Sequence, residues 1–321
     1  MRVGNNPEKN KKKLIRYKFH RIIIPVYIPN EKGTYFDNLF SVFKTSIDSL
    51  LKTIDKEHTK ISIINNACNK IVSYYINELL LSNYIDKHVH YSSNMGKVNT
   101  ILSEAKGSYE DFITIADADV FYYNGWQLNS LNVFKKFKKI GVVAPLPCTH
   151  LAYYNNISYF SNILKIKKKK LLLSKESCES FGESVGWTKE RVLNEERWKK
   201  PQYYMKNKFG EVFIGAGHFI ATYRADILHT IPFKKNTYVF KNGDEYEFLD
   251  EPIDKLGYYR VSLTKSFVYH LGNTIPKWVD SVIYKKESLN TFNLPQLKAN
   301  NIPFKVRVFY YKLWRKLNKN N

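Results

Sequence analysis

Asp117 and Asp119, in the stretch ITIADADVFYYNGW, are the residues whose type and spacing most directly imply chemistry. They follow the mostly apolar stretch Ile113–Ala116 and stand one residue apart. On extended backbone, residues i and i+2 point to the same side, about 6.6 Å apart at 3.3 Å per residue. Two carboxylates aimed together repel unless a cation sits near them. Hard divalent ions such as Mg²⁺ or Mn²⁺ take oxygen ligands, keep several waters and are commonly completed by substrate phosphates. The pair therefore reads as a diphosphate clamp. The competing assignment is two aspartates that cap a turn or open a helix.

The elements that must position the pair lie upstream. Arg21–Val26 reads as a buried β-branched strand stopped by Pro25 and Pro29. From Tyr35 to Leu51 apolar residues recur at three and four, which predicts a helix. A second strand is expected at Ile61–Ile64, a helix over Asn69–Ser82, a third strand in HVHYSS, a helix over Gly96–Ala105 and a fourth strand in DFITIAD. Strands alternating with helices predict an α/β fold, a mostly parallel sheet with helices on both faces. In such sheets ligands bind beyond the carboxyl ends of the strands, and Asp117 and Asp119 fall at the end of the fourth.

The ordered set PVY (Pro25–Tyr27), INNAC (Ile64–Cys68), NMGK (Asn94–Lys97) and DAD (Asp117–Asp119) resembles the family 2 glycosyltransferases over roughly Arg21–Asn273. The resemblance implies a GT-A (Rossmann-like) fold, a nucleotide-diphosphate sugar donor and a divalent metal, Mn²⁺ or Mg²⁺, held by the Asp-x-Asp. By the same resemblance Asp117 approaches the donor's ribose or sugar and shares the metal site with Asp119, with Ala118 between them also on the donor. Pro25 and Tyr27 line the base and ribose pocket. Asn65 and Asn66 stand where the family more often has aspartates facing the nucleobase; their alternative is an ordinary Asx turn. Lys97 neutralises donor phosphate or is a solvated surface lysine, and Gly96 before it suits a close approach of backbone to ligand.

A second block, VFIGAGHFIATYRADIL and then GDEYEFLDEPIDKLGYYRVSLTKSFVYHLGN, resembles the family's acceptor-side segment. Gly257 precedes His270 by 13 residues, which makes His270 the remaining metal ligand implied by the resemblance, or else a buried histidine bonded to backbone. His218 reads as local packing. An inverting transfer needs a carboxylate within reach of the acceptor hydroxyl. Counted back from the Gly-Tyr turn, the family's Glu-Asp pair falls at Glu245 and Tyr246. Asp250 and Glu251 precede Pro252, a residue favoured at the first position of a helix. Asp250 and Glu251 therefore rank first as the catalytic base and Glu245 next, with helix capping as the alternative.

The chain carries 51 Lys+Arg against 29 Asp+Glu, a formal charge of +22. No zinc-finger, RRM or related signature accompanies that charge, so no nucleic-acid partner is expected. A sugar nucleotidyltransferase would want a Gly-rich phosphate loop after the first strand, where PVYIPNEKG stands. Three dispersed cysteines and the absence of a signal-peptide core or a 20-residue apolar run predict a cytoplasmic protein. The tail FKVRVFYYKLWRKLNKNN has Val306, Phe309, Tyr310, Leu313, Trp314 and Leu317 along one stripe, with Lys305, Lys312, Arg315, Lys316 and Lys319 mostly opposite. It is either a helix docked on the body or one lying on the inner face of an anionic membrane.

Three regions are expected: a basic extension (1–20), a glycosyltransferase domain (21–273, donor half to about 125, acceptor half from about 126) and a basic C-terminal extension (274–321). The function implied is a metal-dependent hexosyltransferase-type enzyme, inverting, acting on a glycan or lipid-linked acceptor in surface polysaccharide biosynthesis. Its rivals are a degenerate relative that binds sugar nucleotide without transfer, and a basic nucleic-acid-binding protein.

Overall fold

The computed structural model describes residues 3–10, 19–30, 33, 35–169, 178–179, 182–183, 186–195, 202–232, 236–237, 244–285 and 287–318. Most of the N-terminal extension, residues 170–177 in the basic stretch KIKKKKLLLSKES, and Lys319 lie outside the described residues.

The strands are β1 (His20–Val26), β2 (Thr59–Asn66), β3 (Lys87–Tyr91), β4 (Phe112–Ala116), β5 (Val120–Tyr122), β6 (Ile140–Ala144), β7 (Lys167–Lys169), β8 (Gln202–Asn207), β9 (Gly210–Ile214), β10 (Ile220–Arg224), β11 (Tyr259–Ser262) and β12 (Val268–His270). Ten of them form one sheet in the order β3-β2-β1-β4-β10-β6-β11-β9-β8-β7. The β3-β2-β1-β4 half and the β6-β11 pair are parallel, while β10 enters antiparallel between β4 and β6, and β9, β8 and β7 continue antiparallel. Strand direction is thus mostly shared, as expected, but the second half is mixed. All five residues of β4 are buried, as befits a strand covered on both faces.

Helices α1 (Leu39–Thr53), α2 (Lys70–Leu81), α3 (Lys97–Lys106) and α4 (Trp126–Lys136) cross over between the strands. The Asn69 side chain caps α2 by accepting from the Val72 amide at 3.0 Å. Helix α1 begins four residues later than its apolar period predicts, because Tyr35–Asn38 form a turn whose Phe36 amide bonds to Gly33 O. The third strand stops at Tyr91, before the two serines. One core lies between α1–α3 and the parallel half. A second joins Phe112, Phe134, Tyr159, Phe160 and Tyr203 to Leu289 and Trp314, so the C-terminal segment packs on the body. No helix among the described residues is long and apolar enough to cross a membrane.

His20, the first residue of β1, is fully buried in a network that fixes its tautomer. The Asp55 amide donates to Gln127 Oε1 at 2.9 Å, which turns the Gln127 NH₂ toward His20 Nδ1 at 2.7 Å and Thr59 Oγ1 at 2.7 Å. Nδ1 is then the acceptor, and Nε2–H donates to Thr114 Oγ1 at 2.7 Å. Only neutral imidazole fits, and burial pulls its pKa down to about 3. An unfolded histidine titrates near 6.5. Between those values the unfolded chain binds the extra proton, so this contribution is intact above about pH 6.5 and is lost as pH falls, at about 1.4 kcal/mol per unit. His20→Gln is expected to lessen the acid sensitivity of the denaturation midpoint between pH 6.5 and 4. Parallel pH profiles for the two proteins would refute this assignment.

Candidate active site

The carboxyl ends of β1, β2 and β4 open into a cavity of about 520 Å³. Pro25 lines it from β1 and Tyr27 from just beyond that strand, Asn66 from β2, Lys97 from the first turn of α3, and Asp117, Ala118 and Asp119 from the segment after β4. Tyr35, Phe36 and Leu39 form an apolar wall. These three were hidden in the sequence because they continue the helical period of α1.

Asn65 is fully buried and does not line the cavity. Its Oδ1 accepts from the Cys68 amide three residues on and its Nδ2 donates to Ser73 Oγ, both at 2.8 Å, so both polar ends of the side chain are taken up by its own loop and helix α2. Asn66 has a different task. Its Nδ2 donates to Asn94 Oδ1 and its Oδ1 accepts from the Met95 amide, both at 2.8 Å, while Asn94 Oδ1 also accepts from the Gly96 amide at 2.9 Å. This clamp, with Gly96 at φ +79°, sets the loop that delivers Lys97. A lysine at a helix N-terminus opposes the helix dipole, so its position needs compensating charge. Lys97 Nζ is 2.5 Å from Asp117 Oδ1 and 2.9 Å from Glu245 Oε1. Burial pulls the ammonium down, but Asp117 and Glu245 outweigh it and hold its pKa well above the ordinary lysine value. Burial likewise pushes Glu245 up, yet the Lys97 charge and hydrogen bond leave it below the usual carboxylate range. Asp117 moves the other way, because burial and the charge of Asp119 together outweigh Lys97.

The small antiparallel sheet of β5 and β12 brings His270 to the pair. His270 registers with Val120, and the Leu271 amide donates to Asp119 O at 2.7 Å. The imidazole Nε2 then lies 3.2 Å from Asp119 Oδ2. Asp119 Oδ1 is buried without a hydrogen-bond partner among the described residues. No group of three or more His, Cys, Asp or Glu among the described residues is arranged to hold a metal. A carboxylate and an imidazole at one point, with an orphaned buried oxygen, nonetheless suit a hard ion that relies on substrate phosphates for its other ligands.

The three candidate bases separate. Glu245 joins the cluster through Lys97. Asp250 is fully buried, 2.9 Å from Arg260 and 3.0 Å from His218 Nδ1. Glu251 is 2.9 Å from Lys255 one helical turn on. His218, read from sequence as packing, stands between Asp250 and the ring of Tyr154, which also meets Tyr246. Only its neighbour across 32 residues of sequence marks it out, and no local pattern could. Gly257 of the Gly-Tyr turn has φ +94°, and a Cβ there would meet the Asn300 backbone at 2.7 Å. Glycine is required at that position.

No protein-family model matches the sequence, and no curated protein does. Solved structures do. GalNAc-T7 with UDP, GalNAc and Mn²⁺ matches with TM-score 0.50 and 12% identity over 79% of this chain and 44% of its own. The mannosyltransferase PcManGT of Pyrobaculum calidifontis with GDP-Man and Mn²⁺ gives TM-score 0.44 and 11% identity, covering 78% and 55%. S. aureus TarS 1-349 gives 0.44 and 12%, covering 78% and 59%. The chain thus spans about half the length of the structures it matches. Together with the ten-stranded sheet, the first of these likenesses establishes that the chain has the α/β fold of the GT-A glycosyltransferases.

Proposed function

We propose that the cleft binds a nucleotide-diphosphate sugar and transfers its hexosyl group, with inversion, to a hydroxyl of a glycan or lipid-linked saccharide of the surface-polysaccharide kind. The observation that carries this reading is the convergence of Asp117, Asp119, His270, Lys97 and Glu245 beside one apolar-walled cavity at the carboxyl ends of the parallel strands. A planar base fits the wall of Tyr27, Tyr35 and Phe36, and the diphosphate fits the first turn of α3, where Lys97 adds its charge to the helix N-terminus.

Asp119 and His270, with Asp117 beside them, would hold Mn²⁺ or Mg²⁺, which when bound neutralises diphosphate oxygens and so eases their departure. The chain's own groups do the rest. Glu245, ionised beside Lys97, takes the acceptor hydroxyl proton as that oxygen bonds to the anomeric carbon. The bond from that carbon to the diphosphate breaks, and the nucleoside diphosphate leaves against the Lys97 ammonium. Asp250 acts one step removed, holding Arg260 and His218 in place behind the acceptor side.

Calorimetric titration with UDP-, GDP- and CDP-sugars, in Mn²⁺ and in chelator, tests the reading. Metal-dependent binding of one nucleotide class is expected, with transfer to an added saccharide acceptor. Binding without transfer or hydrolysis would assign the chain to the non-catalytic relatives, and no binding under either condition would overturn the donor site.

A further inference from the structure

The C-terminal helix Phe304–Leu317 is docked by only one of its faces. Trp314 is buried against Phe160 at 4.6 Å, Tyr203 at 5.6 Å and Tyr153 at 5.9 Å. Arg307 is buried beside it and donates to the carbonyls of Ile302, Asp254 and Lys255. The predicted stripe is therefore split: Trp314 turns inward, and the other five residues face out. Val306 is 42% exposed, Phe309 63%, Tyr310 39%, Leu313 38% and Leu317 68%. At about 100° per residue these five fall within an arc of about 100°.

Lys305, Lys312 and Lys316 are exposed along one border of that arc, and the helix contains no acidic residue. Lys312, Lys316 and Arg315 also line, with Tyr311, Val308 and Ile157, a cavity of about 540 Å³ at the helix's flank. The neighbouring carboxylate, Asp254, is taken up by the amides of Ile157 and Ser158 at 2.8 Å each. Three cations around one cavity beside an apolar ridge call for an occupant that is anionic at its surface and apolar just beneath. A second copy of this chain, at +22, would bring like charge to like charge.

We infer that this helix lies in the headgroup layer of an anionic phospholipid bilayer, the outward stripe entering the acyl boundary and a lipid phosphate seated among Lys312, Arg315 and Lys316. At 14 residues it is about 21 Å long, too short to span and suited to lying in the plane. Docking there has a consequence for the cleft. Tyr153 touches Trp314, and the next residue, Tyr154, touches His218 and Tyr246, so a chain of contacts runs from the docked face of the helix toward the cleft. The inference does not depend on the transfer chemistry.

Co-sedimentation of the full chain with phosphatidylcholine vesicles, with and without 30% (roughly) phosphatidylglycerol, tests it. Binding is expected to the anionic vesicles and to weaken in high salt. Lys312→Gln with Lys316→Gln is expected to weaken it about 30-fold, since each basic residue near such a surface contributes about fivefold. Phe309→Ser with Leu317→Ser should abolish it while leaving the thermal midpoint unchanged, because both side chains are already in solvent. No binding to either vesicle, equal binding by both double variants and the wild type, or a lipid-free dimer dissolved by Phe309→Ser would overturn the inference.

Discussion

Asp119→Ala is expected to eliminate metal-dependent donor binding and lower kcat/KM by about 10³-fold, the several kcal/mol that a Lewis-acid contact to a leaving diphosphate supplies. The surroundings of the carboxylate support that expectation. Its Oδ2 faces His270 at 3.2 Å, its Oδ1 is buried without a hydrogen-bond partner among the described residues, and its backbone carbonyl already serves Leu271. A desolvated oxygen with no donor is costly to keep, and its charge adds to burial in raising Asp117. Removing it should therefore leave the metal-free protein as stable as before or more so. Scanning calorimetry without metal separates the two effects. A lowered midpoint would make Asp119 a structural residue, and a variant that still binds donor only with Mn²⁺ would remove it from the metal site.

The parts of this molecule that local pattern controls could be read in advance. Ile22–Ile24 is an apolar run and Ile61–Ile64 and Ile113–Ala116 are β-branched stretches with one small hydroxyl each, as suits buried strands, and α2 and α3 follow their period to within a residue. Once those strands are parallel, the position of Asp117 and Asp119 at the ligand-binding edge follows. What escaped is set by pairing across long separations. Nothing near Val120 indicates that it will register with His270, and nothing near Lys97 indicates Glu245, 148 residues on. The insertion of β10 between β4 and β6, which makes the sheet mixed, is likewise a tertiary choice. Asn65 and Asn66 look equivalent as neighbours, yet alternation along β2 sends one toward α2 and the other to the cavity. The same limit applies to the acids around Pro252: the helix expected to start there is already under way from Tyr246, and nothing local shows that Asp250 points inward to Arg260.

That inward orientation sorts the three acids into three distinct outcomes. Glu245→Gln retains the shape of the side chain and an oxygen for Lys97 but removes basicity. It is expected to lower kcat by about 10²–10⁴-fold, the contribution of a positioned general base, with donor affinity nearly unchanged. Because Lys97 holds Glu245 below the usual carboxylate range, the wild-type rate should fall with acidity only below about pH 4.5, as the base takes up its proton. Asp250→Asn instead leaves the Arg260 guanidinium buried without its counter-charge, a loss of about 3–5 kcal/mol in stability, so it should appear first in the thermal midpoint. Glu251→Gln forfeits an exposed i,i+4 pair and should change neither quantity appreciably. Single-turnover kinetics beside calorimetry on the three variants reads these apart. A rate loss at Glu251 with none at Glu245 would move the base to the helical turn Glu251–Lys255 and leave the Lys97–Glu245 pair as a brace for α3.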